Sequence, residues 1–257
     1  MHSAEVTRRG FRYDRRFLLI DKNNRFLTQR EFPKMALLKT AIEEETLLVY
    51  HKDSFGDHLV VPLAPEPSDD TAIVSIWEDE CEAQFIGQQA DDWFSGQLNT
   101  ACRLVYMPDS TERKVDEKYA IHDDITSFSD GYPILIIGQA SLDDLNNRLS
   151  KAIPVNRFRP NLIFAGGTPY EEDGMKHFRI HDLDFFGVKP SARCVITTTD
   201  QETGLTGKEP LKTLAGYRSK NNKVYFGQNV LMEGEGIIKV GDPIEIIRQK
   251  PTSFLSH

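Results

Sequence analysis

Residues 11–61 alternate between short apolar runs and polar breaks, a period-two pattern that predicts strands. RRFLLIDKNNRFLTQRE (15–31) is two strand-like runs around Lys22-Asn23-Asn24. LLKTAIEEETLLVYH (37–51) is two more around Glu43-Glu44-Glu45, and each pair reads as a hairpin. HLVVPL (58–63) continues the series, APEPSDD (64–70) is a turn-rich connection, and AIVSIWEDECEAQFIG (72–87) is strand-like again. The character then changes. DDWFSGQL (91–98) predicts a short helix opened by Asp91 or Asp92, ACRLVYM (101–107) a strand, and the polar stretch 108–130 a long loop.

The clearest helix is predicted over 141–150. Ser141 is its expected N-cap, Asp144 completes a capping box, and Leu142, Leu145 and Leu149 share one face. NLIFAG (161–166), HFRIHDLDFFGV (177–188), CVITTTD (194–200), KVYFGQNVLM (223–232) and IIKVGDPIEII (237–247) predict strands, the last with a Gly241-Asp242 turn. Strands dominate, so the expected fold class is mainly β (α+β), in two parts joined near residues 90–100.

Composition narrows the function classes. A chain of 257 residues holds one large domain or two smaller ones. With 39% hydrophobic and 27% charged residues it reads as a globular protein, and no run of 18 apolar residues predicts a membrane span. The opening MHSAEVTRRGFRYDRR has no apolar stretch of a signal peptide, and Glu5 and Asp14 argue against a transit peptide. The net charge is −8 and the basic residues are scattered among acids, which argues against a nucleic-acid partner. Cys81, Cys102 and Cys194 fit neither a disulfide framework nor a zinc site. Reduced thiols and an intracellular protein, cytoplasmic or mitochondrial, are expected.

Several motifs fail. TGLTGKEP (203–210) lacks the spacing of a phosphate loop, and GEGIIKVG (234–241) lacks a third glycine and a following helix. His177 and His181 lie in a strand-like stretch with no H-E-x-x-H pattern, and there is no G-x-S-x-G elbow.

Three groups of residues remain. The first is Arg15-Arg16 in YDRRFLLID, followed by LTQREFP. The second is FSDGYP (128–133) with NRFRPNL (156–162). The third is SARCVITTTDQETG (191–204), followed by KEPLKTL, FGQN (226–229) and IIKVGDPI (237–244). A thiolate suits a redox metal with sulfur coordination, and arginine gives a phosphate bidentate recognition. If 194–200 is a strand, Cys194, Ile196 and Thr198 share one face and Arg193, Val195 and Thr197 the other. Plainer readings stand beside these. Cys194 is also a small buried hydrophobe, Arg15 and Arg159 surface ion-pair partners, and Asp200 a turn-former before Thr203-Gly204. Gln228 and Asn229 either close a hairpin or bond a cofactor.

In this order the motifs resemble the MOSC family, specifically members with an N-terminal β-barrel domain such as the amidoxime-reducing components and their bacterial relatives. The resemblance spans nearly the whole chain. It implies an N-terminal β-barrel domain over 1–95, a MOSC β-barrel with a few short helices over 96–250, and a tail at 251–257. It also implies a molybdenum–pterin cofactor (Mo-molybdopterin) with Cys194 as metal ligand and Arg15 and Arg159 holding its phosphate and pterin. Asn161 lies beside Arg159. Ser129 and Asp130 lie in a cofactor-proximal turn, which departs from the mitochondrial members at Gly131 and Tyr132. Gln228 is a further cofactor contact, and Asp200 a second candidate catalytic group, near the metal or relaying protons.

The implied activity is reduction of N-hydroxylated small molecules: amidoximes, hydroxylamines or N-hydroxylated bases. Electrons would come from a separate donor protein, a b-type cytochrome or a flavin reductase, since no cysteine-rich iron–sulfur module is present. Family members carry an earlier strand with a Tyr-Pro-x-Lys-Ser motif, for which this sequence has no counterpart. The expected consequences are an unpaired edge in the N-terminal barrel and weaker phosphate binding. A non-redox cofactor carrier, related to the C-terminal domain of cofactor sulfurases, and a cofactor-free β-barrel scaffold are the alternatives.

Overall fold

The computed structural model describes residues 2–251, so most of the expected tail, 252–257, lies outside the described residues. The fold is mostly β, as expected. The chain divides into two compact units: an N-terminal unit of residues 15–113 and 199–206, and a C-terminal unit made of the rest.

In the N-terminal unit a four-stranded sheet runs in the order Phe17–Ile20, Arg103–Tyr106, Asp79–Phe85, Thr71–Ile76. A second, three-stranded sheet is Leu38–Glu43, Thr46–His51, Ser54–Pro62. The predicted hairpin at 43–45 is present, turned by Glu44 at φ 52°. Helix α1, Gln88–Leu98, shares one apolar core with both sheets through Leu19, Val49, Leu59, Val61, Phe94 and Leu104. It begins earlier than Asp91, after Gly87. Asp91 instead lies in the first turn, where its carboxylate accepts the Leu104 N–H at 2.8 Å; burial pushes its pKa up.

The C-terminal unit is built on a sheet in the order Leu162–Phe164, Ile134–Gly138, Lys223–Glu233, Leu183–Arg193, Met175–Ile180, Glu245–Gln249. The run Ile134-Leu135-Ile136-Ile137 explains how it sits. Alternate residues face opposite ways. Ile134 and Ile136 join Phe178, Phe185 and Val230 in one core, while Leu135 and Ile137 join Phe158, Leu214 and Phe226 in another. A strand buried on both faces needs a continuous apolar run. Helix α2, Gln139–Arg148, covers the second core with Leu142 and Leu145, and the short helix α3, Leu211–Ala215, adds Leu214.

Two local expectations are corrected, and a third element is present with partners the sequence did not name. Helix α2 starts after Gly138, so Ser141 is not its N-cap. Its hydroxyl instead donates to Glu172 at 2.7 Å and accepts the Tyr170 N–H. Residues 195–198 form a 3-10 turn rather than a strand, which removes the expected alternation of faces after Cys194. The strands flanking Gly241-Asp242 part company: Gly236–Lys239 pairs with Ser3–Thr7, and Glu245–Gln249 with Met175–Ile180.

That pairing explains why the compact units do not follow a cut at residue 95. Ser3–Thr7 is bonded on one side to Gly236–Lys239 and on the other to Gly10–Phe11, so the first residues of the chain fold with the C-terminal unit.

Candidate functional site

Cys194 ends the long strand Leu183–Arg193 and opens the turn Val195–Thr198. The turn is local hydroxyl chemistry. Thr197 Oγ1 donates to the Cys194 carbonyl at 3.0 Å and Thr198 Oγ1 to the Val195 carbonyl at 2.7 Å. Such short-range bonds compete with strand pairing and stop the extended chain. Cys194 is partly exposed, whereas Cys81 and Cys102 are buried.

Arg193 ties this strand end to the second motif group. Its Nη2 donates to the Phe158 carbonyl at 2.7 Å and its Nη1 to Ser191 Oγ at 2.8 Å. The Phe158 ring stacks on Phe226 with centroids 4.3 Å apart, fixing the start of the Phe158–Asn161 turn in the core. The short turn Val155–Arg157 packs against Val195–Thr198.

Arg159 follows with φ 55°, in the left-handed region. That region is costly for a side chain other than glycine, and it precedes Pro160, which restricts the backbone further. Arg15 has the same feature at φ 52°, with Tyr13 at φ 68° two residues before. Left-handed non-glycine residues concentrate at functional sites, and both arginines singled out by the sequence carry the mark.

Asn161 joins these segments. Its Nδ2 donates to Asp14 Oδ2 at 2.8 Å, its Oδ1 accepts the Leu135 N–H at 3.0 Å, and its own N–H donates to the Leu135 carbonyl. The Asp14 carbonyl accepts Ser127 Oγ at 2.9 Å, next to the FSDGYP segment. Ser129 is buried with its Oγ 2.6 Å from Thr126 Oγ1, and Asp130 is exposed. Gly10 fits closely beside Pro133: at φ 105°, a Cβ there would lie 3.0 Å from the Pro133 Cβ and carbonyl oxygen. Lys189 reaches the same segment, its ammonium 4.4 Å from the Tyr119 ring centre and 5.4 Å from that of Tyr132. Burial pushes the Tyr132 phenol up, so it stays protonated.

Within the C-terminal unit, then, the Cys194, Phe158–Asn161, FSDGYP and Asp14 segments are bonded into one network. Arg15 follows Asp14 directly in the chain but folds with the N-terminal unit, as does Asp200. Asp200 Oδ1 accepts the N–H groups of Glu202 and Thr203, both at 3.0 Å, which makes it a turn-former in the Thr199–Thr206 loop. Gln228 lies mid-strand and closes no hairpin. It is fully buried, neither of its amide atoms has a partner in this structure, and it lies against Gly187. Sequence reasoning missed Asp14, Arg193 and the two threonines. The adjacency of Asp14 to Arg15, and of threonines to Cys194, was the available signal.

A mostly β chain whose C-terminal unit bonds the Cys194 strand end to the Phe158–Asn161 turn, and that turn to Asp14, defines a class, and comparison with known proteins gives its family. The MOSC domain matches residues 123–245 and the MOSC N-terminal beta barrel domain residues 1–101. The chain is 32% identical to mitochondrial amidoxime-reducing component 1 of Mus musculus and to that of Homo sapiens, in each case over 96% of this chain and 77% of the relative. It is 30% identical to the molybdenum cofactor sulfurase of Oryza sativa subsp. japonica, over 96% of this chain but 33% of that longer protein. The chain belongs to the MOSC-domain family that includes the amidoxime-reducing components. Among the described residues no helix is long and apolar enough to cross a membrane.

Proposed function

We propose that this protein binds the molybdenum cofactor and reduces N-hydroxylated small molecules such as amidoximes. The observation that carries the reading is the bonded network: Arg193 to Phe158, Asn161 to Asp14, Ser127 to Asp14. Two of these bonds join segments more than a hundred residues apart, and all three lie beside residues proposed to hold the cofactor.

The residues fit such a group. Cys194 offers a partly exposed thiol on a turn locked by two hydroxyls. Among the described residues no set of three or more His, Cys, Asp or Glu side chains is arranged to hold a metal ion. In this reading Cys194 would be the metal ligand, with most of the coordination brought by the cofactor. Arg15 and Arg159, held by their unusual backbone, would take the phosphate and the pterin through charge-assisted bonds. Ser129 and Asp130 would border the cofactor, and the unpartnered Gln228 amide is a further candidate contact. Asp200 would act through the shape of its loop.

When bound, the cofactor would supply two-electron oxygen-atom transfer. Converting an N-hydroxyl compound to the amine takes two electrons and two protons and releases water. The electrons would come from a separate donor, a b-type cytochrome or flavin protein, for which a chain of net charge −8 would favour a basic docking face.

The match to a cofactor sulfurase keeps a second reading open, a carrier that holds the cofactor without turnover. One experiment separates them: molybdenum per chain and benzamidoxime reduction, in wild type and Cys194→Ala, expressed where the cofactor is made. Metal near one per chain in the wild type, with turnover lost in the variant, is the expected result. Metal without turnover selects the carrier. A folded wild type without metal overturns both.

A further inference from the structure

The strands Thr71–Ile76 and Asp79–Phe85 form a hairpin at the edge of the four-stranded sheet in the N-terminal unit. Its residues alternate between two faces. Val74, Ile76, Cys81 and Ala83 are buried on one face. On the other, Ile73 stands opposite Glu82 and Ser75 opposite Glu80, and Trp77 and Glu78 make the turn. Ile73 is 55% exposed and Trp77 50%, and Glu78, Glu80 and Glu82 are exposed. An apolar row of Ile73 and Trp77 therefore lies beside an acidic row, in which Glu80 and Glu82 are about 7 Å apart along the strand.

Trp77 sits at φ 58°, where a bulky side chain is rare. Its ring is braced from within the unit: Phe26 meets it edge-on at 5.0 Å between centroids, and the Arg30 guanidinium lies 4.4 Å from the ring centre. A half-exposed aromatic already held in place loses little freedom when it is covered. The surrounding charge says what covers it. Between Lys52 and Arg103 the chain has eleven acidic residues and no lysine or arginine, so the rest of the chain is net positive. Asp79 is taken by Arg113 at 2.6 Å, but among the described residues Glu78, Glu80 and Glu82 carry no such pair. This face repels nucleic acid and anionic membrane surfaces. A rigid tryptophan beside a branched aliphatic is the anchor of a protein contact.

We propose that the outer face of this hairpin docks a separate protein that presents an apolar patch beside a row of lysines or arginines. The apolar row of Ile73 and Trp77 is the contact. The row of Glu78, Glu80 and Glu82 steers the partner and fixes its register. The proposal concerns one surface of the N-terminal unit and does not depend on the cofactor reading. A folded chain without metal would overturn that reading and leave this one standing.

The test is titration calorimetry of the full chain with cytochrome c, a small basic protein whose apolar haem edge is ringed by lysines. The wild type is expected to bind at low ionic strength and more weakly as salt is raised. Glu80→Lys combined with Glu82→Lys should weaken binding about tenfold or more. The same charge change on another hairpin, Glu43→Lys with Glu45→Lys, should weaken it less than about threefold. Trp77→Asn suits the left-handed backbone and Ile73→Thr keeps the branched strand residue. Each should weaken binding about five- to tenfold and leave its salt dependence unchanged. Thermal unfolding confirms that each variant is folded. No binding by the wild type at low ionic strength would overturn the proposal. An equal loss in the Glu43 and Glu45 variant would also overturn it, because net charge alone would then be at work. So would wild-type affinity in folded Trp77→Asn and Ile73→Thr, because the apolar row would then be no part of the contact.

Discussion

Asn161 donates a hydrogen bond to Asp14 across 147 positions of sequence, at 2.8 Å, and so ties the turn that carries Arg159 to the first residues of the chain. The same amide also accepts the Leu135 N–H, so both of its ends are committed.

Breaking that link should loosen the Arg159 turn. Asn161→Ala removes the bond to the carboxylate and leaves the Leu135 N–H short of one acceptor. A cost of about 1–3 kcal/mol is expected in urea unfolding. Asn161→Asp should be worse near neutral pH, because two carboxylates then face each other. Exchanging the pair, Asp14→Asn with Asn161→Asp, should recover part of the loss. If the four-way cycle shows no coupling between the sites, the bond is not what joins the segments.

The left-handed backbone at Arg159 separates anchoring from folding. Glycine accepts φ 55° without the Cβ penalty, whereas alanine does not. Arg159→Gly should therefore be more stable than Arg159→Ala by roughly 1 kcal/mol, less whatever backbone freedom glycine adds to the unfolded chain. Both should lose bound cofactor, measured as molybdenum per chain. Retention of metal by either variant would remove Arg159 from the anchoring role.

The threonine locks at the Cys194 turn are testable with an isosteric change. Thr197→Val and Thr198→Val each delete one hydroxyl donor, to the Cys194 and Val195 carbonyls respectively. Each should cost about 1 kcal/mol of stability. The sum should be less than additive, because the two bonds close one turn. Additive losses would mean that the hydroxyls act independently and that the turn has another origin.

Strand periodicity made the fold class legible. The hairpin at 43–45 follows from residue pattern alone, because there the local preference and the final pairing agree, whereas the doubly buried strand Ile134–Gly138 was not singled out. Residues 194–200 were misread as a strand. Their β-branched composition favours extension, but the Thr197 N–H and the hydroxyls of Thr197 and Thr198 bond carbonyls three residues back and close a turn instead. Ser141 has the chemistry of an N-cap, but a buried carboxylate 31 positions later claims its hydroxyl. The candidate residues of the proposed site are legible as motifs. The partners that fix them, Asp14 for Asn161 and Phe158 for Arg193, are long-range and carry no local signature.

Glu172 gives the fold a pH dependence whose sign can be worked out. Its carboxyl is fully buried, accepts the Ser141 hydroxyl on Oε2 and has no partner on Oε1. Burial pushes its pKa up from 4.5 to about 7, and the neighbouring Asp173 adds to the shift, while the Ser141 hydrogen bond opposes it. A carboxyl that is harder to ionise in the folded state binds its proton more tightly there than in the unfolded chain. Its contribution is therefore most favourable below pH 4.5 and is lost progressively as pH rises toward and through 7. The shift corresponds to about 3 kcal/mol between those limits. Glu172→Gln keeps the shape and removes the ionisation, so the variant should gain stability relative to wild type as pH is raised from 5 to 8. The measurement is the difference between the two unfolding free energies at each pH, which cancels the other titrating groups. A flat difference would mean that Glu172 ionises inside the protein as easily as outside it. The missing partner on Oε1 would then have to be supplied by hydration within the core.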